Sequence, residues 1–213
     1  MDNPQKTVPP PRRYDIDSIR VIALSLLIVY HILIGFQPWG NYIFFITNKE
    51  SVEWLSYPMG LMNIWRIPIL FVVSGMGVYF ALERRNLGEL LGDRILRILV
   101  PLISGSILIA PISFLIYFTY YNKPLEYWPG PSHLWFLVNI FIYVLLLLPI
   151  FGYFKRHPEN KLSMIISAIV RKPFGVVVVF AVPLIAEALI VSPERYSIFV
   201  EGMHGFAIGL ICF

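Results

Sequence analysis

Residues Tyr14 to Trp39 read YDIDSIRVIALSLLIVYHILIGFQPW. This apolar run holds two polar residues that an anchor facing lipid does not need. Arg20 sits near its start and His31 well inside it. Eleven positions separate them, and at about 100° per residue this closes to within about 20° of three full turns. Both side chains therefore project from one helix face, about 16 Å apart along the axis. Asp17, three residues before Arg20, is spaced to pair with it. Burying polar groups in hydrocarbon is costly, so such residues mark a site by default.

Working outward, the composition sets the class. Of 213 residues, 57% are hydrophobic and only 14% charged, which points away from a soluble domain. Several apolar runs are long enough to cross about 30 Å of hydrocarbon. Cys212 is the only cysteine, so an internal disulfide is excluded and a metal cluster is not expected. The net charge of +4 comes from basic residues that flank apolar runs, which fits membrane orientation and not nucleic-acid binding.

Six spans are expected in an all-α polytopic bundle. Residues 1–18 read as a disordered cytoplasmic tail, with four prolines among the first thirteen residues, and 19–213 as one transmembrane domain. Helix boundaries are expected at Ile19–Gln37, Leu61–Leu82, Arg94–Tyr120, His133–Phe154 and Pro173–Val191, with a sixth span from Ser197. Glu83–Asp93 reads as a charged loop, and Pro101 and Pro111 should kink or break the third helix. Leu162–Val170 has the length and pattern of a short interfacial helix. The last run is still apolar at Phe213, as an incomplete span would be.

These spans divide the basic residues thirteen to four, which places the N-terminus in the cytoplasm by the positive-inside rule. His31, Arg66, Asn139, Glu187, Glu201 and His204 then fall in the outer third of the membrane. Arg20, Arg84, Arg85, Arg94 and Arg97 collect at the inner end.

Four segments carry a family resemblance. DIDSIRVIALSLLIVYH, with Arg20 and His31, is similar to the first-helix motif of the acyltransferase-3 membrane proteins. PILFVVSGMGVYF resembles their second-helix segment around a Ser-Gly pair, here Ser74 and Gly75. Arg94-Ile95-Leu96-Arg97 followed by Pro101 resembles their Arg-x-x-Arg opening of the third helix. His133-Leu134-Trp135-Phe136-Leu137 resembles their HLWFL entry to a later helix. The resemblance implies a fold of about ten membrane helices, only partly covered by this chain. It further implies an enzyme of the bacterial inner membrane that moves an acyl group, succinyl or acetyl, from cytoplasmic acyl-CoA to a periplasmic glucan or another surface polysaccharide.

The candidate residues suit that chemistry. A neutral imidazole at His31 can take the proton of an attacking hydroxyl, or carry the acyl group itself. Asp17 and Arg20 complete the catalytic candidates. Arg20, Arg94 and Arg97 suit the phosphates of a coenzyme A donor through planar guanidinium forks. Arg66, His133 and Trp135 are candidates for substrate binding. The expected partners are acyl-CoA, the glycan acceptor and the bilayer, with no permanently bound cofactor and no metal. The rival class is a multi-pass transporter or channel, which also buries charges and breaks helices with proline. The chain carries no internal repeat, which weighs against it.

Overall fold

The computed structural model describes residues 13–191 and 203–213. Every regular element among them is helical. Helix α1 is Tyr14–Ile34, and α2 is Ser56–Arg84, entered through a 3-10 turn at Glu53–Leu55. Helix α3 runs Leu87–Tyr120, and α4 is Trp135–Arg156. Helices α5, Lys161–Val170, and α6, Gly175–Ile190, meet at a 116° bend, and α7 is Met203–Cys212. Four helices are long and apolar enough for a crossing, or five if α5 and α6 form one broken span. Six were expected. The expected start of the sixth, at Ser197, and Glu201 lie outside the described residues.

Two helix starts differ for local reasons. Helix α1 begins at Tyr14, five residues inside what the sequence reads as tail, because Asp15 and Asp17 in its first turn suit the positive helix end. The charged loop expected over Glu83–Asp93 shrinks to two residues. There the Asn86 side chain accepts the Glu89 N–H at 2.8 Å while Glu89 accepts the Asn86 N–H at 3.1 Å, a reciprocal cap that starts α3 early.

The prolines of α3 do not break it. Wider π-helical turns at Ile95–Leu99 and Gly105–Ile109 precede or approach Pro101 and Pro111 and absorb them. Pro111 has no N–H to offer the carbonyl four residues back, at Ile107. The Tyr127 hydroxyl donates to that carbonyl instead, at 2.8 Å, and the Gly130 N–H donates to the Ser106 carbonyl at 3.2 Å. The connection leading to α4 is thereby fastened to the helix backbone.

Helix α2 lies at the centre and can be used as a ruler. A Cβ placed on Gly77 would sit 3.7 Å from the Arg20 guanidinium, and the Arg66 guanidinium lies 4.1 Å from the centre of the Tyr30 ring. Residue numbers fall along α1 as they rise along α2, so the two helices are antiparallel. On the other side of α2, Phe71 packs beside Gly209 and Gly75 beside Phe213, so α7 runs parallel to it. Phe71, Phe136, Tyr143, Phe206 and Phe213 form the aromatic centre of the core, with ring separations from 4.6 to 5.6 Å. Five steps from Arg66 to Phe71 turn about 140°, so α1 and α7 occupy different faces of α2.

Candidate functional site

Two polar layers form along the α1 face of α2. The first surrounds Gly77. Arg20 leans on this glycine and pairs with Asp17 at 3.7 Å. Arg94 donates from Nη2 to the Gly77 carbonyl at 3.1 Å, and its buried Nε has no partner among the described residues. Arg94 is close enough to feel the charges of Arg20, Arg85 and Arg97. Asp93 draws in Arg85 and Arg97, each at 2.8 Å. The pair spaced as Arg-x-x-Arg is therefore split. Arg94 points inward, whereas Arg97 leaves 69% of its side chain exposed on the Asp93 side.

The second layer lies eleven residues away along α2, at Arg66, or about 16 Å. Arg66 is 2% exposed. Its Nη2 donates to the Asn63 amide oxygen at 3.0 Å, and the Tyr30 ring covers one face of the guanidinium. Its Nε and Nη1 are buried without partners among the described residues. A guanidinium buried with unmatched donors is a strong receptor for an anionic oxygen.

His31 follows Tyr30, and the two rings lie 6.2 Å apart. Its Nδ1 lies 2.7 Å from the Leu27 carbonyl oxygen. A carbonyl only accepts, so Nδ1 carries the proton, and in the neutral ring the lone pair sits on Nε2. Phe45 stacks on the imidazole at 5.9 Å. His133 is within electrostatic reach of His31, so the chain entering α4 arrives at the same layer. Trp135 sits one turn into that entry, edge-on to Phe136 at 6.3 Å.

An aromatic cap lies beside this layer. Phe44 packs against Phe114, Tyr117 and Trp128 at 5.1 to 5.4 Å while holding a left-handed backbone, φ 62°. The Thr47 N–H donates to the Tyr121 hydroxyl at 3.1 Å, and the Tyr117 hydroxyl bonds the Asn41 side chain. These contacts tie residues 35–55 to the far end of α3 and hold Phe45 over His31.

The structure thus groups Arg20 with Arg94 and Asp17, and His31 with His133, while Arg66 reaches this level through Tyr30. It separates Arg97 from Arg94. Tyr30, Asn63, Phe45 and Asp93 were not singled out by sequence. Position offers a signal for Gly77: it is eleven residues after Arg66, the same spacing as Arg20 to His31. Glu187 and His204 form a separate buried pair that clasps α6 to α7, on the aromatic side of α2.

The fold is that of a polytopic membrane protein with two polar clusters along one face of α2. The chain belongs to the acyltransferase-3 family, whose acyltransferase domain it matches over residues 13–191. It is similar to glucans biosynthesis protein C of Escherichia coli strain K12, with 27% identity over 167 residues, covering 72% of this chain and 42% of that protein. Similarity to glucans biosynthesis protein C of Salmonella paratyphi B is 26% over 168 residues, covering 72% of this chain and 43% of the relative. The chain therefore matches less than half the length of these curated relatives. No solved structure matches it.

Proposed function

We propose that this chain forms the donor-binding and acyl-transfer part of an inner-membrane acyltransferase with a cytoplasmic N-terminus. It moves an acyl group from cytoplasmic acyl-CoA to hydroxyls of a periplasmic glucan or related surface polysaccharide. The observation that carries this reading is the spacing of the two layers. A cationic layer at Gly77 and an imidazole layer at Arg66 are about 16 Å apart on one face, comparable to an extended pantetheine arm.

In this reading Arg94 and Arg20 hold donor phosphates, with Arg97 contributing from the rim. The thioester reaches the outer layer. The acceptor hydroxyl oxygen attacks the thioester carbon while its proton passes to Nε2 of His31. The carbon–sulfur bond then breaks, and the imidazolium returns the proton to the leaving thiolate. Asp17 holds Arg20 in place through their ion pair. His133 and Trp135 line the approach of the acceptor.

Arg66 favours succinyl over acetyl as the group transferred. A carboxylate at the end of the acyl chain would meet Nε and Nη1, which have no other partner among the described residues. An acetyl group would leave a buried cation uncompensated. The name of the similar enterobacterial proteins, which refers to glucan biosynthesis, supports a glucan acceptor.

The test uses the full-length protein in vesicles, supplied with succinyl-CoA or acetyl-CoA and periplasmic glucan. Acceptor-dependent release of free coenzyme A is expected, faster with succinyl-CoA, and absent in His31→Ala. Arg66→Met should remove the preference for succinyl. No release by the unmodified protein with any donor or acceptor supplied would sink the enzyme reading, and it is what a transporter would give.

A further inference from the structure

Helix α5 is amphipathic but buries none of its residues against the protein. Leu162, Ile165 and Ile166 share one face by their spacing, and all are exposed, at 53%, 56% and 38%. Ser163 and Ser167 share another. An exposed apolar stripe on a helix this short does not span hydrocarbon, and water is a poor neighbour for it.

Its position is fixed at both ends. Before it, Lys155 of α4 donates to the carbonyls of Leu82 and Arg85, each at 2.6 Å. This places the start of the connection level with the inner end of α2 and its arginines. After it, the chain turns sharply at Phe174, φ 61°. A Cβ on Gly175 would collide with the Ile169 carbonyl, so this turn requires glycine there. The Gly175 N–H donates to Lys172 at 3.0 Å. The 116° bend then lays α5 closer to the membrane plane than to its normal when α6 crosses.

Four cations surround the stripe: Arg156, Lys161, Arg171 and Lys172. All are exposed, and none forms an ion pair among the described residues. Glu159 is the one acid in this segment. Apolar side chains facing the bilayer, flanked by unpaired cations at headgroup height, complement a surface of anionic phospholipid. We propose that α5 lies in the interfacial plane, with Leu162, Ile165 and Ile166 dipping into the acyl-chain boundary. Arg156, Lys161, Arg171 and Lys172 bind the phosphates of anionic lipids. This surface is independent of the acyl-transfer site.

The test places single cysteines at Leu162, Ser163, Ile165, Ile166 and Ser167 in a full-length background with every native cysteine, Cys212 included, changed to Ser. Each is labelled with bimane and reconstituted in phosphatidylcholine or in phosphatidylcholine with phosphatidylglycerol. Quenching by brominated phosphatidylcholine should be strong at 162, 165 and 166 and weak at 163 and 167. Adding phosphatidylglycerol should deepen the strong set. Changing Arg156, Lys161, Arg171 and Lys172 together to Gln should reverse that gain, with each cation worth roughly five-fold in partition onto anionic lipid. Helix content by circular dichroism confirms that this variant is folded. Equal quenching at all five positions would place α5 across the membrane and overturn the proposal. So would a pattern indifferent to phosphatidylglycerol and to the four changes, which is the result if protein covers the stripe.

Discussion

The two working faces of α2 have opposite chemistry. Its α1 face presents Arg66 to Tyr30, and Gly77 to Arg20 and Arg94. The face against α4 and α7 presents Phe71 and Gly75 to an aromatic cluster. The first leaves buried donors unmatched at Arg66 and Arg94. The second fills its space with rings. Such a difference means that one helix separates a face lined by polar groups from a face filled by apolar rings. Small residues serve both. Gly77 leaves its carbonyl open to Arg94, whereas Gly209 lets Phe71 and Tyr143 close in.

Mutations should separate the faces, activity on one and stability on the other. His31→Ala is expected to lower acyl-transfer turnover by about 10²- to 10⁴-fold, with the melting temperature in detergent unchanged. On the other face, Glu187→Ala removes a buried hydrogen bond to His204 and should cost about 1–3 kcal/mol of stability, read by thermal unfolding. Arg94→Ala should raise the KM for acyl-CoA roughly ten- to hundred-fold through loss of a charged hydrogen bond. Gly209→Ala crowds Phe71 and Tyr143 and should destabilise by about 1–3 kcal/mol, leaving the KM for the donor in place. Arg97→Ala should change that KM by no more than about five-fold, because its exposed pair with Asp93 contributes little. Equal effects of Arg94 and Arg97 would show that the inward and outward arginines are not distinct.

The membrane class and the shared face of Arg20 and His31 were legible because both depend on composition and on helical period. The pairing of Arg20 with Asp17 was legible for the same reason. What was hidden depends on contacts between helices. The sequence treats Arg94 and Arg97 alike, and only the approach of the Gly77 carbonyl and of Asp93 tells them apart. Tyr30 reads as one more apolar residue until Arg66 is laid across its ring. The prolines of α3 signal interruption by their covalent structure, and widened turns answered that signal without a break.

Pro111 also sets how His133 is positioned. By withholding an N–H it frees an oxygen on α3, and Tyr127 grips that oxygen six residues before His133. An ordinary residue at 111 would compete with Tyr127 for the same lone pairs and loosen the strap that brings His133 to His31. A ring with no proton to give thus acts as a mooring for a distant imidazole.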